Sequence, residues 1–416
     1  MGLRKARDYV IRACPLLTAA SLPLSDALGC VLAEDAVAID SVPPFANSAM
    51  DGYALRSGDT ESAPVSLRVV GTTHAGDEAL SELPPGSAQR IMTGAPVPNG
   101  ADAVCMIELS RELGPGQVEI TVPLNGDENI RRAGDDVAAG ELCFTRGTEL
   151  TPAHLGVLVS AGVPFVRAVP RARVAVLSTG DELITDDSPL VPGKIRDSNR
   201  PTLTARLQTD GFSPVDLGSA ADETSSIASA IGIGAQRADA VVTVGGVSVG
   251  DHDFLADALR KLGASSMTSL QIAIRPAKPF AFGVVGDPGV PVFGLPGNPV
   301  SALVSYELLV RPALRAMAGH RKIDRPLVTA FAPDGLPREH DGKTHFVRVR
   351  LRRLDDGTIE ARPTGGQGSH QLRGLAEANA LAVLPDGDGV PAGGRVDVLV
   401  LRDDGLVPES AEQWIP

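Results

Sequence analysis

The sequence has little with which to stack bases. Aromatic residues make up 3% of its 416 positions, with a single tryptophan, so a ring-lined groove for RNA or single strands lacks its material. An excess of basic charge is missing too. Lys and Arg total 38 against 51 Asp and Glu, a formal charge of −13, and such a surface repels phosphate backbones and anionic lipid. Nucleic acid and membrane are therefore not expected partners. Nor is there an uninterrupted apolar run of membrane-spanning character. The longest stretch without a charged residue, Pro288 to Tyr306, contains Pro288, Pro291, Pro296 and Pro299, which rules out a transmembrane helix. Cysteine is scarce: Cys14, Cys30, Cys105 and Cys143 lie too far apart for a zinc knuckle or redox pair and are too few for a disulfide framework. Reduced structural thiols are expected. Arg4, Lys5 and Arg7 are followed by Asp8 and Arg12, and Pro23 and Asp26 interrupt the stretch before Cys30, so no leader is read and the expected location is cytoplasmic.

What is present is the composition of a folded, multidomain chain. Apolar residues make up 43%, and the length suits roughly two to four domains. Between residues 173 and 317, short apolar runs (Val174 to Leu177, Ser213 to Leu217, Ala240 to Val244, Val292 to Leu295) alternate with helical periods. Those helices are expected after Ser198, Asn199 and Pro201, near Asp222, over Asp251 to Leu262, and from Val300 to about Leu314. This alternation predicts a doubly wound, mostly parallel α/β sheet, with chemistry in the loops after Leu177, Val244 and Leu295. Ser41 to Asp136 differs, with β-like runs at Leu67 to Val70, Ala103 to Ile107 and Val118 to Val122 between Gly, Pro and Asn clusters. It reads as a separate β-rich domain. Leu24 to Leu32 and Pro152 to Val163 read as helices flanking it, and the runs after Pro326 read as a small β-barrel or sandwich.

Each motif has a functional and a plain structural reading. Gly245, Gly246, Val247, Ser248, Val249, Gly250 and Asp251 follow a strand and precede a helix, which suits either an anion-binding loop or a tight turn. The spacing is neither a dinucleotide fingerprint nor a Walker A loop. Asp251 either caps the helix or ligates a metal. Leu295, Pro296, Gly297, Asn298 and Pro299 supply an N-cap and a first-turn proline, yet Pro296 and Gly297 suggest a stiff pocket wall as well. Asp181 and Glu182 after a strand end bind a divalent cation, act as acid and base, or cap a turn. Arg275, Pro276, Ala277, Lys278 and Pro279 hold two cations on a stiffened backbone in an acidic protein, either an oxyanion site or a solvated face. Asn47 to Tyr53 and Thr364 to His370 are small-residue loops with little weight alone. No Ser-His-Asp or Cys-His arrangement is present, so covalent catalysis is not indicated.

Taken in order, these segments resemble the molybdopterin molybdenumtransferases, the MoeA and gephyrin E-domain family. The resemblance runs through Pro44 to Tyr53, Met92 to Pro98, Arg132 to Asp136, Ser178 to Leu183, Asp197 to Asn199, Gly245 to Asp251, Arg275 to Phe280, Leu295 to Pro299 and Gln367 to His370. It implies a multidomain α/β plus β fold. The expected domains are a small linking domain (15–40 and 137–168), an inserted β-rich domain (41–136), a Rossmann-like molybdopterin-binding α/β domain (1–14 and 169–322) and a C-terminal β-barrel (323–416).

The implied reaction inserts molybdenum from molybdate into adenylylated molybdopterin (molybdopterin-AMP), with magnesium-dependent cleavage and release of AMP. By motif, Asp51, Thr93, Asp135, Glu182, Asp222 and Asp251 correspond to the polar active-site set, with Glu182, Asp222 and Asp251 around Mg2+ and phosphates. Arg275, Lys278, Ser301, Arg348 and Ser369 correspond to the molybdate pocket, with Pro279 beside them. Gly245, Gly246, Ser248 and Gly250 correspond to the substrate loop, and Pro296 and Pro299 to pocket-shaping prolines. The family is a homodimer with its active site shared between subunits, and other cofactor-biosynthesis proteins are further candidate partners. This chain departs from the family's usual Lys-Pro-Gly-Lys in having Arg275, Pro276, Ala277 and Lys278. Two alternatives compete: adenylyl transfer to molybdopterin, which a similar α/β domain catalyses, and a non-catalytic scaffold of the same fold. Retained loop charges argue against the scaffold.

Overall fold

The computed structural model describes residues 1–78, 82–247 and 254–406. They form two compact units, Ala20–Ala168 and the remainder of the chain. Among the described residues no helix is long and apolar enough to cross a membrane. All four cysteines are free thiols, and burial pushes Cys14 up to about 12 and Cys105 up to about 11.

In the Ala20–Ala168 unit the main sheet has six strands. Their order is Ala103–Met106, Gly52–Leu55, Ser87–Ile91, Val65–Thr73, Gln117–Ile120 and Ser110–Gly114. Its core side is built from Tyr53, Leu55, Leu67, Ala88, Cys105, Val118 and Ile120. A second cluster gathers Leu24, Leu32, Ala38, Leu150, Leu158 and Val166. There the helix Pro152–Ser160 starts on a reciprocal cap between Thr151 and His154, with proline at its first position.

The helix expected over Leu24 to Leu32 does not form. Leu24–Asp26 is one 3-10 turn and Val31–Leu32 a short strand. Gly29 sits at φ +74° and donates to Leu150 O, and Leu32 donates to Thr148 O. The helical spacing of apolar residues was real, but the backbone donors are taken across the chain instead, and tertiary pairing overrides local propensity.

The other unit carries a six-stranded sheet in the order Ser213–Ala220, Arg173–Thr179, Ala240–Val244, Val290–Leu295, Pro279–Val285, Ser265–Gln271. The first four run parallel and the last two are added antiparallel. Alternate residues of the Arg173 strand go to opposite faces: Val174 and Val176 join one core, Ala175 and Leu177 the other. Both faces are thus covered, which explains why its strands read as continuous apolar runs. Helices Leu3–Ala13, Asn199–Thr209, Thr224–Arg237 and Phe254–Lys261 pack around it. The helix opening at Pro299 runs on through a π-turn, Tyr306–Val310, to Met317.

The C-terminal strands close into a five-stranded barrel, because Thr344–Arg353 pairs with both Ile359–Pro363 and Ala380–Leu384. Ile274–Arg275, from the α/β part, adds a further parallel pairing on Thr344–His345.

Candidate functional site

Three strand ends converge in the loops expected from sequence, those of the strands ending at Thr179, Val244 and Leu295. Gly245 and Gly246 leave the Ala240 strand at φ +95° and +69°. A Cβ on Gly245 would lie 2.3 Å from Thr179 O, so only glycine lets these loops approach. Gly245 N–H donates to Leu295 O at 3.1 Å, and Asn199 Nδ2 donates to Gly297 O at 2.7 Å. Pro296 is buried. Asn298 occupies the N-cap position as expected, but its side chain makes no capping bond, while Pro299 takes the first helical position. The next donor, Val300 N–H, goes to Ser369 O at 3.0 Å. That bond joins the helix start to the Thr364–His370 loop, with Ser301 buried one residue on.

The acidic side of the site is built on the loops after Thr179 and Ala220. Glu182 is exposed, its carboxylate folded over Gly180, where a Cβ would meet it at 2.5 Å. Asp181 Oδ1 accepts Asp222 N–H at 3.2 Å. Asp222 Oδ1 is buried and has no hydrogen-bond partner among the described residues. Burial raises the Asp222 carboxyl above its ordinary range, and the charges of Asp181 and Glu182 raise it further. An orphaned carboxylate oxygen among like charges is suited to a cation. No three His, Cys, Asp or Glu among the described residues are placed to hold a metal. Of the anticipated metal set, Glu182 and Asp222 lie among the described residues, whereas Asp251, like Ser248 and Gly250, lies outside them.

The basic side is the Arg275 loop. Both Arg275 and Lys278 are exposed, and neither side chain pairs with a described residue. Between them Ala277 is buried at φ +79°, a left-handed conformation that costs a non-glycine residue about 1–2 kcal/mol. The loop is clamped by Ile272 N–H to Lys278 O at 2.8 Å, and Pro279 begins the next strand.

Arg348 was expected to present its charge to the pocket. Instead its side chain is 1% exposed, with Nη1 donating to Gly368 O at 3.1 Å and Nη2 to Gly366 O. Its Nε is buried without a partner among the described residues, and burial lowers the guanidinium's basicity. Gln367 completes the brace: Oε1 accepts Arg348 N–H at 3.0 Å while Nε2 donates to Arg348 O and Thr364 O, each at 3.1 Å. Gln367 was not singled out from sequence as a site residue. Its signals there were its place in a small-residue run that also reads as a flexible turn and at the head of the family-resembling segment Gln367 to His370.

In the Ala20–Ala168 unit three motifs are knitted into one surface. Asn47–Ser48 pairs with Ile130–Arg131, Ser48 N–H donates to Ala95 O, and Gly94 N–H donates to Ser48 O. Asp51 Oδ1 accepts both the backbone N–H and the hydroxyl of Thr93, each at 2.7 Å. Those bonds, the backbone one first, hold the exposed Asp51 carboxyl below its ordinary range. Asp135 Oδ2 accepts Arg132 N–H at 2.6 Å, closing the loop that follows Arg131. Gly52 is required by contact: a Cβ there would sit 1.8 Å from Cys105 O.

Comparison with known proteins follows this anatomy. A family model described as the MoeA N-terminal region (domain I and II) matches residues 1–162. One described as a probable molybdopterin binding domain matches 175–316, and one described as the MoeA C-terminal region (domain IV) matches 336–401. A molybdopterin molybdenumtransferase of Haemophilus influenzae is 38% identical over 401 residues, covering 96% of this chain and 98% of its own. A molybdopterin molybdenumtransferase 2 of Mycobacterium tuberculosis is 39% identical over 385 residues, covering 91% and 93%. The crystal structure of a molybdopterin biosynthesis MoeA protein from Pyrococcus horikoshii superposes with a TM-score of 0.76 at 28% identity, over 96% of this chain and 99% of that one.

Proposed function

Since the chain belongs to the MoeA family and is a molybdopterin molybdenumtransferase of molybdenum cofactor synthesis, we propose that it performs the insertion on adenylylated molybdopterin, with magnesium-dependent release of AMP. Molybdopterin and molybdate are its substrates. One observation carries the finer reading furthest: Arg275 and Lys278 stand exposed with no described anion to pair with, in a chain of net charge −13. Two fixed cations on a clamped loop suit a dianion such as molybdate. Arginine here, where the family has lysine, adds a planar donor fork matched to oxyanions.

The residues divide the work as follows. Gly245 and Gly246 leave room for the pterin phosphate against the strand ends. Pro296 and Pro299 stiffen the wall opposite, and Ser301 and Ser369 sit where the helix start meets the barrel loop. Arg348 acts from beneath, holding the Ser369 loop rather than the oxyanion. Glu182 and Asp222, with Asp251 of the same motif set, hold the magnesium ion, and the orphaned Asp222 Oδ1 supports this assignment. The ion's contribution is to neutralise charge on the phosphates as the anhydride to AMP is broken. Asp51, Thr93 and Asp135 form a second polar set; as the family resemblance implies, it serves the α/β domain of another subunit in a homodimer. The enzyme is proposed to act in the cytoplasm.

The test is direct. Purified protein is incubated with adenylylated molybdopterin, molybdate and magnesium, and AMP and active cofactor are followed. Stoichiometric AMP release that requires magnesium and molybdate supports the proposal. Consumption of ATP with release of pyrophosphate would replace it with adenylyl transfer. Light scattering that finds a fully active monomer would remove the shared site.

A further inference from the structure

The two helices that open around the Val300–Ser369 bond, Pro299–Ser305 and Leu372–Glu377, also wall a cavity of about 370 Å3. Its aliphatic lining comes from Leu303, Val304, Leu372, Leu375, Leu381 and Leu401. The charged residues that reach it are Arg206, Glu307 and Arg402.

Arg206 belongs to a buried charge cluster that does not balance. Arg325 bonds Asp210 Oδ1 at 2.6 Å and Glu307 Oε2 at 2.9 Å. Arg311 Nε lies 3.5 Å from Asp210 Oδ2. Arg206 shares these same acids, Nη2 at 2.7 Å from Glu307 and Nε at 3.4 Å from Asp210, yet neither nitrogen makes an aligned hydrogen bond among the described residues. Tyr306 donates to Asp210 at 2.8 Å, and burial raises its hydroxyl well above the ordinary range, so it stays neutral and adds no anion. Three guanidiniums thus share two carboxylates, and a buried uncompensated cation is costly. Arg402 adds a second positive group: its Nη2 donates to Ala376 O and Ala378 O, with Asp404 no nearer than 3.8 Å.

The cavity is therefore apolar in its walls, and its charged lining, Arg206 and Arg402 against Glu307, is net positive. We propose that it binds a small aliphatic monocarboxylate, whose chain covers the leucines and whose single negative charge completes the Arg206 cluster. A phosphate ester suits it less, because the buried cluster lacks a single negative charge, Arg402 lies at a more exposed position, and the walls offer few donors.

Octanoate is the probe, titrated into the full chain by calorimetry and ligand-observed NMR, with octanol and octylamine as controls. Saturable octanoate binding is expected, with both controls at least tenfold weaker. Ala376→Phe, at an exposed lining position that tolerates bulk, should abolish it, and Arg402→Gln should weaken it severalfold, with thermal melts showing both variants folded. Octanol binding as tightly as octanoate would overturn the carboxylate assignment. Octanoate affinity unchanged in Ala376→Phe would overturn the site, as would binding that never saturates. Because the readout is binding, none of these outcomes bears on molybdenum insertion.

Discussion

Val300 donates its backbone N–H to the carbonyl of Ser369 at 3.0 Å. The donor is one of the groups that every helix start leaves unsatisfied, and here the barrel loop supplies the acceptor. The loop holds its shape because Gln367 bonds both the N–H and the C=O of Arg348. Gln367→Ala takes the acceptor from the buried Arg348 N–H, while Thr364 N–H still serves the C=O, and should cost about 1–3 kcal/mol. Urea unfolding is the measurement. A variant as stable as the parent would mean that water replaces the amide and the loop is not braced in this way.

Asp51 titrates low because Thr93 offers it two donors, and the sign of the consequence follows. Its folded value lies below the unfolded one, so the stabilising contribution is present above about 3.9 and is lost as pH falls through the folded value. Thr93→Val removes the hydroxyl and keeps the backbone N–H. Carbon-13 NMR should therefore show the Asp51 titration moving part of the way up. An unmoved midpoint would leave the backbone bond as the whole cause.

Magnesium is expected to act through Glu182 and Asp222. Asp222 has the opposite shift: its folded value is raised, so its contribution favours low pH and is lost as pH rises through the unfolded and then the folded value. Magnesium should raise the melting temperature of the parent at neutral pH but not that of Asp222→Asn, which melts no lower than the parent without the metal. Glu182→Ala, at an exposed position, should fold normally and lose about 10² or more in AMP release. Equal magnesium responses in parent and variants would place the ion elsewhere.

Lys278→Ala should raise the molybdate concentration needed for insertion, by the equivalent of about 1.5–3 kcal/mol for a charge-assisted contact, while adenylylated pterin still binds. Excess molybdate should restore part of the rate. Superimposable molybdate titrations for parent, Lys278→Ala and Arg275→Lys would show that this loop merely faces solvent.

The parallel strands were legible because burial on both faces leaves no room for polar alternation: all five residues of Ala240–Val244 are buried. The motif loops were legible for a related reason, since glycine at Gly245 and Gly52 answers to contacts that no side chain survives. Three things were not readable. Leu24 to Leu32 has helical spacing, but Leu24, Gly29 and Leu32 donate to partners more than a hundred residues away. Arg348 shows a charge in the sequence and not its direction, and only folding reveals that the guanidinium points under a loop. Ala277 stood out as a departure from the family, while its left-handed backbone became visible only in three dimensions.

The strand Thr344–Arg353 works as a ruler. Its first two residues register the Ile274–Arg275 segment, and three residues past His345 the same strand carries Arg348. The spacing between the cationic loop and the Ser369 loop is thereby set by the pleat of a single strand, about 3.3 Å per residue. Inserting or deleting one residue between His345 and Arg348 would shift one loop against the other by that step and turn Arg348 to the opposite face. A length change in the barrel would then read out as a change in oxyanion handling, although it touches neither Arg275 nor Lys278.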